Sequence, residues 1–478
     1  MLTVSVVTGL VVQAVTVIGV HAVVRGEWLR RPGALLLAAA VVFHGVTEVM
    51  QALWPDRNVF RTFVDQKLID DWVLLVSVAI AAYGIGYAAV VARERKKHRP
   101  AHTHHDAGLA GLRLPWLLAL VIPLLAATWS GNGALQPLAP AQAGLETPER
   151  QGIMVDLASG FLVPLIAVTG AVILVRYGIR WVIPVLAVEC ALLALAGTRA
   201  MIVIGCVLTL SAAALHDVKP TRRQVASIVL VAAAFTALIS ATRSTSGREA
   251  FDAGQDGNAR LEALTKGAGA IHTERSREAI VNDVVYRFDG NTFGAIILGS
   301  LNGHTQPVGL ETMSNNLEMQ VPSLLSPEKV ESRSLEERSE EAYLGLVFGL
   351  DQYVDWLPTI FGTVVAYFGP VGLIFLALLL GLAIGSAEAA ALRAVTIVRV
   401  TFAVGLAQCA LLYGSGPQAV ITTLRLVLVL AAVLWVVSWL RLSAGRVAAS
   451  RTASPARRVR PTTPGRTERP QPAWLAGS

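Results

Sequence analysis

Runs of about 20 apolar residues recur through the chain, and that is the length an α-helix needs to cross the ~30 Å hydrocarbon core of a bilayer. Eleven runs are found, at roughly 2–24, 33–54, 71–92, 114–130, 153–175, 179–197, 200–216, 224–241, 356–386, 396–414 and 418–440. In hydrocarbon every backbone N–H and C=O must be paired within the protein, so segments of this length specify helices. Composition agrees: 54% hydrophobic residues, 15% charged and a mean hydropathy of +0.57 exceed what an ordinary soluble domain carries. The expected fold is an all-α polytopic integral membrane protein. The first run is followed by neither a small-residue cleavage site nor a soluble domain, and reads as a retained helix rather than a signal peptide.

Lys and Arg collect in alternate short loops, as cytoplasmic loops require. Arg25, Arg30 and Arg31 mark the first; Arg93, Arg95, Lys96, Lys97 and Arg99 the second; Arg176 and Arg180 the third; Lys219, Arg222 and Arg223 the fourth; Arg393 and Arg399 the fifth. Eleven spans then put the N-terminus outside and the C-terminus in the cytoplasm. The interval from Pro55 to Asp70 fits least well, because it carries Arg57, Arg61 and Lys67, offset by Asp56, Asp65, Asp70 and Asp71. The regions expected are an eight-helix membrane region (1–241), a large, partly helical extracytoplasmic loop (242–355), a three-helix membrane region (356–440) and a tail (441–478). Between Thr242 and Leu350 the loop carries 10 Lys or Arg against 16 Asp or Glu, the balance of an outward segment. The Arg-, Pro-, Thr- and Ser-rich tail has too little apolar surface to offset its ordering entropy and reads as a disordered cytoplasmic segment.

Net charge is +7, but much of it lies in short loops and the tail, so nucleic acid is an unnecessary partner. Cys190, Cys206 and Cys409 lie in apolar runs without Cys-x-x-Cys spacing and read as packing residues. His98, His102, His104 and His105 adjoin a basic run; a His-rich tract can bind metal, whereas the plainer reading is a solvated linker that locks topology. Gly381 and Gly385 have the Gly-x-x-x-Gly spacing of close helix packing. Val281 to Gly303 is apolar enough for an amphipathic helix lying on the membrane.

Ionisable groups near the membrane narrow the function, because each is costly unless it pairs or meets water. Arg199 follows Gly197-Thr198 at an outward turn. Two uses fit it: snorkelling to the interface, or offering its planar fork of donors to a phosphate. Arg243 and Arg248 flank Ser244-Thr245-Ser246-Gly247 just after an outward span, a spacing that can close a turn of hydroxyl and backbone donors between two guanidinium groups. Arg287 adds a third segment with Arg at the same surface.

The pattern resembles the O-antigen polymerase and exopolysaccharide polymerase family. The resemblance rests on the Gly-Thr-Arg turn of Arg199, the Arg243 segment, Tyr286-Arg287-Phe288-Asp289, and Val321-Pro322 through Pro327-Glu328-Lys329. It continues with Ile360-Phe361-Gly362 to Tyr367-Phe368-Gly369-Pro370-Val371-Gly372, and covers about 180–440. It implies a metal-independent glycosyltransferase, without a cofactor, that joins polyprenyl-diphosphate-linked oligosaccharide units at the outer face of the cytoplasmic membrane. Membrane lipid and other polysaccharide-assembly proteins are the implied partners. Arg199, Arg243 and Arg287, with Arg248 and Lys329, would hold the diphosphate; Asp289, His304 and Glu318 are the candidates for the base. Pairing with Arg287 is the alternative use of Asp289, and an extended surface arm that of the Lys329 segment. The related ligases use a His-Asn motif, whereas His304 is followed by Thr305. A flippase of lipid-linked sugars, a ligase-type transferase and a non-catalytic assembly partner remain as alternative classes. No internal repeat supports the flippase.

Overall fold

The computed structural model describes residues 2–55, 58–97, scattered positions from 169 to 191, then 199–215, 221–246, 257–309, 340–350, 359–393, 396–425 and scattered positions to 436. Three of the expected spans (114–130, 153–175, 179–197), the His-rich linker and the tail lie wholly or mostly outside the described residues, as do Arg248, Glu318 and Lys329. The chain divides after Ala432, and of the second unit only Val436 is described. Among the described residues the protein is helical, with no strand.

We number the helices α1 (Val4–Val24), α2 (Pro32–Leu53), α3 (Gln66–Lys97), α4 (Arg199–Leu215), α5 (Arg222–Ser246), α6 (Gly257–Ala270), α7 (Glu274–Arg287), α8 (Gly290–Asn302), α9 (Glu340–Phe348), α10 (Ile360–Arg393), α11 (Thr396–Leu411) and α12 (416–425). Five of these, α1, α2, α3, α5 and α10, are long and apolar enough to cross a membrane. α1 shows why the surroundings are apolar. Val4, Val7, Val11, Val15 and Ile18 form an exposed stripe along one face, while Val6, Gln13, Val20 and Val24 are buried on the other. A continuous apolar stripe of this size needs lipid or protein against it.

Contacts between helices fix their relative directions. Gly9 of α1 lies beside Val73 and Ser77 of α3, and Gly84 of α3 lies beside Thr16 and Val20, so the two helices run parallel. Gly86 of α3 meets the backbone of Leu378 and Leu382 in α10 and Gly381 that of Tyr83 and Tyr87, and one turn further on Gly385 meets Val90, so this pair is parallel too. At Gly381 a Cβ would sit 2.3 Å from the Tyr83 carbonyl oxygen. Only glycine permits that approach, which is the close packing expected of Gly381 and Gly385.

The bundle therefore has two distinct ends. At the basic end, Arg31 precedes α2, whose Pro32 occupies the first helical position where no N–H is needed. Its Nη1 donates to Glu388 (2.8 Å) and Glu94 (2.9 Å), while Glu388 also accepts from the Gly33 N–H (3.1 Å) and the Tyr87 hydroxyl (3.0 Å). Ser211, near the end of α4, donates to the Leu29 carbonyl at 2.6 Å. The first two basic loops, the start of α5 and Arg393 thus gather at one end. At the other, the loop end, lie the start of α3, the ends of α2 and α5, and the segment 257–309.

α10 breaks at Gly369, whose φ of 70° and ψ of −179° are a glycine conformation. The next residue, Pro370, has no N–H for the Ala366 carbonyl four residues earlier. Val308, from the segment after α8, supplies it at 3.0 Å. The kink is therefore a docking point for the loop.

Gly381→Val should drive α3 and α10 apart and cost about 1–3 kcal/mol, the usual range for overpacking. The measurement is the thermal midpoint in detergent, read by thiol-dye access to the buried Cys190, Cys206 and Cys409; an unchanged midpoint contradicts the close crossing.

Candidate functional site

Val281 to Gly303, expected as one helix on the membrane surface, is two helices with a break at Phe288-Asp289. Thr273 caps α7, accepting from the Ser276 N–H, and Asp289 caps α8, accepting from Asn291 and Thr292. A carboxylate at this position satisfies helix N–H groups that have no partner within the helix and favours the positive end of the helix dipole, so Asp289 starts a new helix instead of continuing the old one. The resulting hairpin enters the bundle. Along α8, Gly294 packs on the Trp72 ring and Gly299 on Leu68, so α8 runs antiparallel to the first turns of α3. Trp72 is six residues into α3, about 9 Å from its start.

The hairpin tip is held by buried polar groups. Asn291 is fully buried, and its neighbours fix its orientation. Trp72 Nε1–H, a donor only, faces Oδ1 at 3.2 Å, while the acceptor-only Glu48 carboxylate faces Nδ2 at 2.8 Å. Nδ2 also donates to the His44 carbonyl at 2.9 Å. The 2.7 Å contact from His44 Nδ1 to Oδ1 is then an N–H donation, which leaves Nε2 to accept from the Tyr413 hydroxyl at 2.8 Å. Both hydrogens and both lone pairs of Asn291 are used. His44 sits in a π-helical turn, Val42–Val46, within α2; such turns are frequent at functional sites.

Asp289 is also fully buried. Its Oδ1 accepts the N–H of Asn291 (3.0 Å) and Thr292 (3.1 Å), and its Oδ2 accepts from Asn58 and the Thr292 hydroxyl. Burial pushes its carboxyl above the usual value, against the opposing charge of Arg61. Arg61 forms a two-bond pair with Glu48, 2.7 Å on each side. Burial works against the Arg61 charge, but the Glu48 carboxylate more than offsets it, and the guanidinium is held protonated more firmly than in water. Thr47 closes the tip by donating to the Phe288 carbonyl at 2.6 Å.

Beside this hairpin, α5 and α7 enclose an open polar cleft of about 550 Å³ lined by Arg243, Ser244, Thr245, Arg275, Glu278, Ala279 and Asn282. The α7 residues recur at i, i+3, i+4 and i+7, the spacing of one helical face. Ser244 Oγ lies 3.4 Å from Ser276 Oγ, which joins the end of α5 to the first turn of α7. Two guanidinium groups and an amide converge here beside the Glu278 carboxylate, while the Ser244 and Thr245 hydroxyls donate back to carbonyls of α5. The guanidinium and amide N–H groups are the donors suited to phosphate oxygens.

The sequence-derived candidates divide accordingly. Arg243 lies in the cleft, half-buried. Arg199 begins α4, which packs on α5; six residues join the two helices, so Arg199 and Arg243 lie at the same end of that helix pair. Arg287 ends α7 next to the buried tip, five residues beyond Asn282. The side chains of Arg199 and Arg287 lie outside the described residues. Asp289 is committed to four donors away from solvent. His304 is exposed at the end of α8 with φ 79°. Sequence reasoning missed Arg275, Glu278 and Asn282, although Thr273 as a cap followed by a polar 275/278/282 stripe marks that face. It also missed the Arg61–Glu48 pair, which explains basic charge in the 55–70 interval: Arg61 is neutralised inside the protein.

Protein-family models, curated proteins and solved structures contain no match to this chain.

Arg61→Ala leaves Glu48 buried without its cation and should cost about 3–5 kcal/mol. The double variant with Glu48→Gln should recover part of that loss. Thermal midpoints of the two single variants and the double variant, taken as a cycle, check this; additive losses contradict a coupled pair.

Proposed function

We propose that the protein is a membrane glycosyltransferase of the polysaccharide-polymerase type, acting on a glycan carried by a polyprenyl diphosphate at the outer face of the cytoplasmic membrane. In this reading the basic end is cytoplasmic, eleven spans carry the chain across the bilayer, and segment 242–355 is the outer loop. The observation that carries the reading is the cleft shared by Arg243 and Arg275 at the loop end of the apolar bundle.

The chemistry follows from the groups in that cleft. Arg243 and Arg275, with the Asn282 amide, take the diphosphate of the donor lipid. Cations gathered at one cleft stabilise the charge that grows on a leaving phosphate. The acceptor sugar hydroxyl attacks the anomeric carbon of the donor; the new C–O bond forms as the bond to the diphosphate breaks. The proton passes to Glu278, the carboxylate in the cleft, and the polyprenyl diphosphate leaves. Arg199 and Arg287 add positive charge at the same end of the protein. Arg248 and Lys329 keep their supporting roles on the resemblance alone, as do His304 and Glu318 as alternative bases. Asp289 positions α8 rather than taking the proton.

Mass spectrometry of lipid-linked glycans in cells lacking the protein tests this, with a membrane-impermeant glycosidase added to intact cells. A single repeat unit should accumulate, open to the glycosidase. Restoring Arg275→Ala or Glu278→Gln protein should leave turnover at least 100-fold down, the scale of losing one preorganised group. A protected, inward-facing lipid supports a flippase instead, and no accumulation overturns the lipid-linked reading.

A further inference from the structure

A second cavity, about 570 Å³, lies between α10, α11 and α12 and shares no lining residue with the arginine cleft. Its walls are apolar, among them Val364, Leu380, Ile384, Leu406 and Ile421. Along α10 it is lined from Ile360 to Ile384, on both sides of the Gly369 break, which at 1.5 Å per residue is about 36 Å of chain. That matches the ~30 Å of hydrocarbon in a bilayer, so the shape suits an extended chain rather than a compact molecule.

One stretch of wall is polar. Glu340 is 4% exposed and lines the cavity. Its Oε1 accepts the Tyr367 hydroxyl at 3.0 Å and its Oε2 the Gln418 N–H at 3.1 Å, while Gln418 Oε1 accepts the Glu340 N–H at 3.0 Å. This clasp holds the carboxylate on the slot wall beside Tyr367, where α9 and α12 begin. A phosphate entering there would meet a carboxylate in a low-dielectric setting and be repelled, whereas a hydroxyl can donate to it.

We propose that this slot binds a lipid alcohol, with its prenyl or alkyl chain along α10 and its hydroxyl at Glu340. The site complements the arginine cleft: one selects an anionic head, the other excludes it. The proposal stands whether or not the protein transfers sugars.

The test is photolabelling of the full-length protein in nanodiscs with a diazirine-bearing C15 prenol and with the phosphate monoester of the same prenol. The alcohol should label peptides of α10, α11 or α12, and the ester at least tenfold less. Ala383→Trp places a large ring at an exposed lining position and should abolish alcohol labelling. Glu340→Gln should close the gap between the two probes. Labelling spread evenly over the lipid-facing helices and indifferent to Ala383→Trp overturns the proposal, as does equal labelling by alcohol and ester. The two-probe comparison needs no variant, so it holds even if Glu340→Gln weakens the α9–α12 clasp.

Discussion

The buried tip of the α7–α8 hairpin, Asp289 with Asn291, is the constraint on which the loop end depends. An interrupted helix buried in an apolar bundle exposes backbone groups that cost about 1–3 kcal/mol each if unpaired. Here the pairing is complete around the break: Asp289 takes the first N–H groups of α8, Thr47 takes the Phe288 carbonyl, and Asn291 bridges α2 and α3 through His44, Glu48 and Trp72. Asn291, with both hydrogens and both lone pairs used, specifies one arrangement, because any slippage strands a buried donor or acceptor. α7 is fixed by that arrangement, and with it the face that carries Arg275, Glu278 and Asn282 towards Arg243.

The opposite end is built on the same logic with charge in place of amides. Arg31 joins Glu388 and Glu94, and Tyr87 completes the Glu388 carboxylate. Between the two polar layers, α3 and α10 cross at glycines with backbone against backbone. The result is a rigid apolar frame locked at both ends. The break at Gly369-Pro370 is where that frame opens a backbone carbonyl to the loop, and Val308 closes it.

Much of this was legible in the sequence, and the limits are physical. Apolar run length announced α1, α2, α3, α5 and α10, since hydrocarbon leaves no alternative to a helix. Gly381 and Gly385 announced close packing through spacing alone. Arg243 was legible as a residue at the outer end of α5, and the structure places it in the polar cleft. The hairpin was not legible, since Val281 to Gly303 is apolar enough to pass for one helix, and Asp289 reads as a base or as an ion-pair partner of Arg287, not as the cap it is. The cap is seen only once Asn58 and Thr292 are placed around its carboxylate. Arg275 and Glu340 resisted for a similar reason: each is one charge among many in a polar interval, and its meaning comes from α5 or α12, distant in sequence.

The central claim, that the hairpin tip is an integral part of the bundle, is tested most directly by hydrogen exchange in lipid nanodiscs. The Asn291 and Thr292 amides should exchange as slowly as those of Val76 to Ile80 in the middle of α3, and Asn291→Ala should release them. Exchange in the unmodified protein as fast as that of the exposed segment at His304 would contradict the account, and with it the fixed placement of the arginine cleft.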